Sequence, residues 1–109
     1  MSLLLPVDDN GHPINVLGFD YRGTQKIAVS AAASARNPAP IAGDIQLVTL
    51  VATGTCRFET GDGLVTADRD RSPLLLPGQY VDVPLRPGER FVAFIAEELD
   101  CSAYVIGRI

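Results

Sequence analysis

The chain reads as an all-β protein, an antiparallel β-sandwich of jelly-roll or Ig-like type with about seven to eight strands and an extended N-terminal arm. Three observations predict this. Short apolar segments recur along the sequence with the alternation of half-buried strands. Gly and Pro turn signals break them at intervals typical of sandwiches and barrels. No stretch has the length and 3.6-residue periodicity of a helix long enough to form a βαβ unit. At 109 residues a single domain, residues 1–109, is expected.

The elements follow in order. Residues 1–13 read as the arm, with a turn at Asp8-Asp9-Asn10-Gly11, and Pro13 biases His12 toward extended geometry. Residues 14–19 suggest a short strand, and Gly18 and Gly23 bracket a turn at Tyr21-Arg22. Thr24 to Ser30 reads as a strand. The run from Ala31 to Arg36 has the composition for one helical turn, but it is short and Asn37-Pro38-Ala39-Pro40 ends it, so a loop across one end of the sandwich is the better reading.

Asp44 to Ala52 is a strong strand. Thr55 to Thr60 is the next, followed by a hairpin-like turn at Gly61-Asp62-Gly63 and a further strand over Leu64 to Ala67. Asp68 to Pro73 is a charged loop, and Leu74-Leu75-Leu76 is a brief apolar segment stopped by Pro77-Gly78. Tyr80 to Leu85 alternates, and Pro84, lacking an N–H, places it at a sheet edge. Arg86-Pro87-Gly88-Glu89 fits a type II turn. Arg90 to Ala96 and Cys101 to Ile109 are the last two strands, joined through the acidic turn Glu97 to Asp100.

Two of these strands are apolar on both faces. Phe91, Ala93 and Ile95 oppose Val92, Phe94 and Ala96. Cys101, Ala103, Val105 and Ile109 oppose Tyr104 and Ile106. Leaving Val92, Phe94, Tyr104 and Ile106 in water would forgo about 6–12 kcal/mol, comparable to the stability of a whole domain. Something therefore covers them. The Ala-rich segment or the N-terminal arm folding back is one cover. A neighbouring subunit is the other, and it makes these four residues the candidate interface.

Composition narrows the function. The apolar fraction is 47%, the charged fraction 20% and the net charge −4, with 13 acidic residues against 9 scattered basic ones. Without a basic cluster, nucleic-acid binding is disfavoured. No segment reaches the length of a membrane span, and the start, Met1 to Pro6, lacks the basic region of a secretory leader. Cys56 and Cys101 are expected to be thiols, with a disulfide open to them outside the cell. His12, the single histidine, has no nucleophile signature beside it, and one His with two separated Cys does not form a zinc set. Asp62, Asp68 and Asp70 lack the order of a calcium loop. Glu97, Glu98 and Asp100 read as a solvated turn or as partners for a neighbour's arginine. No catalytic, cofactor-binding or metal residue is expected. The absence of Trp lowers a lectin reading.

Three stretches carry a resemblance: Gly63-Leu64-Val65-Thr66-Ala67, Ser72-Pro73-Leu74-Leu75-Leu76-Pro77-Gly78, and Arg86-Pro87-Gly88-Glu89-Arg90 followed by an apolar strand. Over residues 44–109 the chain resembles small β-rich structural proteins of tailed bacteriophages. The resemblance implies a non-enzymatic virion protein made in the host cytoplasm, either a head decoration (cement) protein or a head-associated one. The implied partners are further copies of itself as a homo-oligomer, or a major capsid or tail protein. The alternative is a carbohydrate- or receptor-binding module of a tail fibre or spike. The family supplies no catalytic residues.

Overall fold

Eight strands and no helix make up the described part of the chain. The computed structural model describes residues 19–108. The expected arm at 1–13, with His12, and most of the strand expected at 14–19 lie outside the described residues.

The strands are β1 (Phe19–Val29), β2 (Ala35–Arg36), β3 (Leu47–Ala52), β4 (Cys56–Gly61), β5 (Leu74–Leu75), β6 (Val81–Pro84), β7 (Phe91–Ala96) and β8 (Cys101–Arg108). They form two antiparallel four-stranded sheets, ordered β1-β8-β3-β6 and β2-β7-β4-β5. Four of the pairings nest: β1 with β8, β2 with β7, β3 with β6 and β4 with β5. The chain is thus one long hairpin ribbon, wound so that its successive segments alternate between the two sheets. β3·β8 and β4·β7 then join neighbouring turns of the ribbon.

The sheets share one core. The first contributes Ile27, Val29, Val48, Leu50, Ala52, Ala103 and Val105; the second contributes Cys56, Phe58, Leu75, Val92, Phe94 and Ala96. Alternation along each strand selects these residues, because successive side chains point to opposite faces.

β7 shows how the surplus apolar surface is covered. Val92 and Phe94 are fully buried within this one chain, so the expectation that they form a subunit interface is corrected: they face the opposite sheet and build the core. The other face of β7 carries Phe91, Ala93 and Ile95, and Ala93 is also fully buried. Within the chain, residues 62–73 run across this face, anchored in part on the Ala-rich run. Arg36 donates to the Val65 carbonyl (3.1 Å), the Ala67 N–H to Ser34 Oγ (2.9 Å) and the Arg69 guanidinium to the Ala96 carbonyl (3.3 Å). The expected hairpin at Gly61-Asp62-Gly63 and the strand at Leu64 to Ala67 are therefore corrected to one loop across the outer face of the second sheet. Asp62 and Asp68 shape it by accepting the N–H groups of Leu64 and Asp70 (2.9 and 2.8 Å).

Other expectations resolve simply. Pro84 does lie on an edge strand, β6. Gly88 has φ +86° and the Glu89 N–H donates to the Arg86 carbonyl (3.0 Å), closing the expected turn. The Ala-rich run forms bends rather than a helical turn. The turn expected at Tyr21-Arg22 is replaced by continuous strand, with a register irregularity between Asp20 and Gln25, which absorbs the extra residues as a bulge does.

Candidate functional site

The winding brings the connections β1–β2, β3–β4, β5–β6 and β7–β8 to one end of the molecule. Backbone bonds tie them together. The Ala96 N–H donates to the Ser30 carbonyl (3.0 Å), Gly78 to Ala52 (2.9 Å), Glu97 to Thr55 (3.1 Å) and Thr53 to Ser102 (2.8 Å). The Asp100 carboxylate accepts the Ala31 N–H (3.0 Å). These bonds satisfy turn groups that strand ladders leave unpaired.

Between these turns lies an open depression of about 630 Å³. Leu74, Pro77 and Leu99 give it apolar walls, and Cys101 reaches it from the start of β8. Leu99 is 80% exposed, Leu74 44% and the adjoining Leu76 49%. Arg57 and Glu97 form an ion pair on its rim, and Arg57 also donates to the Ser72 carbonyl (2.9 Å). Glu97 thus has its arginine within the chain rather than on a neighbour.

Cys56 lies directly beneath. It is the first residue of β4 and is fully buried, whereas Cys101 is partly exposed. Both are free thiols. Burial pushes the Cys56 thiol up to about 12, with a further contribution from Cys101, because the core disfavours a thiolate.

The remaining two expected interface residues, Tyr104 and Ile106, lie on the outer face of the first sheet and are partly buried. Tyr104 sits between Lys26 and Val51, and Ile106 beside Thr49. Here Thr49 donates to Asp82 (2.6 Å), and Arg108 reaches both Thr49 (3.0 Å) and Asp82 (3.2 Å). The fold does not gather the four residues into one surface, since Val92 and Phe94 face inward from the other sheet.

The exposed leucines at the end were not singled out in the sequence. The available signal was Leu99, an isolated large apolar residue inside an acidic turn. Among the described residues, no group of three or more His, Cys, Asp or Glu is placed to hold a metal ion, and no helix is long and apolar enough to cross a membrane. Chemically, this end offers aliphatic contact surface and one accessible thiol. Comparison of the chain with protein-family models, with curated proteins and with solved structures finds no match.

Proposed function

We propose that this protein is a non-enzymatic structural component of a phage-like virion, a head decoration or cement protein, built as an eight-stranded jelly roll. The nested strand pairing carries the proposal. A ribbon pairing β1·β8, β2·β7, β3·β6 and β4·β5 across two sheets is the winding expected of a jelly roll, an architecture common in viral capsid proteins. The resemblance to phage structural proteins supports the same reading.

The apolar end supports a packing role. Leu74, Leu76 and Leu99 hold large apolar side chains in solvent, although the core is complete without them. Contact with a second copy or a capsid subunit would bury them, at roughly 25 cal/mol per Å². The fibre or spike reading gains less, because the depression is lined by aliphatic and charged residues without an aromatic ring on which a sugar could stack.

Sedimentation of the full-length protein tests the proposal. Concentration-dependent association is expected, weakened by Leu99→Asp at unchanged thermal stability. A monomer at every concentration that also binds no hydrophobic dye would overturn the packing role. A gene neighbourhood without virion genes would overturn the phage assignment.

A further inference from the structure

Neither cysteine has a part in the proposed packing, yet their placement is specific. Cys56 and Cys101 each stand at the first position of a strand, directly after a crossing from one sheet to the other. The two crossings, at residues 53–55 and 97–100, run side by side and are bonded through Glu97 and Thr55. The thiols therefore meet across the gap between the sheets, Cys56 from the second and Cys101 from the first. The fit around Cys101 is close: a Cβ at Gly54 would stand 2.8 Å from the Cys101 Cβ, so glycine there lets the crossing backbone lie against this side chain. No other cysteine exists in the chain to compete.

We propose that Cys56 and Cys101 are an oxidisable pair, closed into an inter-sheet disulfide by thiol–disulfide exchange when a small disulfide such as oxidised glutathione reaches Cys101 through the depression. In the first step the Cys101 thiol loses its proton and its sulfur attacks one sulfur of glutathione disulfide. A mixed disulfide forms and one glutathione leaves as thiolate. In the second step Cys56 loses its proton to solvent and attacks the Cys101 sulfur, and the second glutathione leaves. Two thiols are oxidised, one glutathione disulfide is reduced to two thiols, and the protons balance.

The order is dictated by access. Cys101 lines the depression and Cys56 has no exposed surface. Forming the mixed disulfide also removes the Cys101 thiol, which opposes ionisation of Cys56. The bridge would close a ring containing β4 to β7 and tie the two sheets where the crossings lie. It would form on leaving a reducing compartment. This inference does not rest on the virion assignment, because it needs only the free protein and a small disulfide.

The test uses the reduced, full-length protein incubated with oxidised glutathione under native conditions. The expected product is a monomer lighter by two hydrogens, with a non-reduced peptide map joining the Cys56 and Cys101 peptides. Its melting temperature should rise by roughly 10–20 °C and return on reduction. Cys56→Ala should trap a stable glutathione adduct on Cys101, and Cys101→Ala should leave Cys56 unmodified in the folded protein. A persistent glutathione adduct on the wild type, a Cys101-linked dimer, or no reaction in the native state would each overturn the proposal. The wild-type peptide map decides even if a variant fails to fold.

Discussion

Asn37 offers the sharpest test of how the domain is held together at the end opposite the depression. Its side chain is 1% exposed and serves three backbone groups. The amide oxygen accepts the Val92 N–H (2.8 Å), and the amide nitrogen donates to the carbonyls of Ala39 and Arg90. Replacing Asn37 with Ala removes all three bonds, but their costs differ. The Arg90 carbonyl keeps the Ile41 N–H (2.8 Å), and Ala39 is exposed and regains water. Val92 is fully buried, so its N–H is left without an acceptor. That penalty is about 1–3 kcal/mol, and the vacated space adds about 1 kcal/mol. The sum, about 2–4 kcal/mol, takes a large share of a typical domain's 5–15 kcal/mol. Urea denaturation followed by circular dichroism should show a lower midpoint with an unchanged m-value. Asn37→Asp keeps the acceptor but buries a charge and loses both donors. It should also be destabilised, and less so at acid pH, where a protonated carboxyl regains one donor. A loss below about 0.5 kcal/mol for Asn37→Ala, with hydrogen exchange at Val92 unchanged, would refute the reasoning.

Phe94→Ala, at a fully buried core position, should cost about 3–5 kcal/mol in the same denaturation assay, while Leu99→Asp at an 80% exposed site should stay within about 0.5 kcal/mol. Gly88→Ala should lose roughly 1–2 kcal/mol of stability, because the φ of +86° penalises any Cβ even though the surrounding space is open. Glu89 governs part of the acid limb. Burial pushes its carboxyl up, but the Arg86 N–H, the Arg86 guanidinium and the Thr60 hydroxyl together outweigh this and hold it below its usual 4.5. A lowered folded-state value means the carboxylate stabilises above the unfolded value, and that contribution is lost as pH falls through the folded one. The stability gap between wild type and Glu89→Gln, measured by thermal melts across pH, should therefore be constant above about pH 5 and close below it.

Local chemistry made several elements legible. Pro84 marked an edge because it cannot donate to a ladder, and Pro87-Gly88 marked a turn because the pair suits its two central conformations. The faces of β7 were not legible. With apolar side chains on both sides, alternation alone cannot say which side meets the core, and the answer depends on residues 62–73 crossing the outer face. That loop itself read as a hairpin, because Gly61-Asp62-Gly63 has the composition of one. Its path is decided by partners distant in sequence, such as Ser34 and Ala96. The meeting of Cys56 with Cys101 was hidden for the same reason. It follows from the adjacency of two crossings, which only the sheet topology reveals.

The nested ribbon also has a kinetic consequence. Its outermost pairing joins Phe19 to Arg108, so forming it means closing a loop around nearly the whole described chain. The innermost pairing, β4 with β5, consists of two residue pairs and cannot serve as a stable local seed. The ribbon therefore does not zip from its tip. The longer contacts of β4·β7 and β3·β8 must be captured first, at the entropic cost of large loops. Domains dominated by such non-local pairing fold on a timescale of about milliseconds to seconds. During that interval Val92 and Phe94 are still open to solvent. Another copy arriving early would meet core residues rather than the finished surface, so slow folding exposes the chain to aggregation.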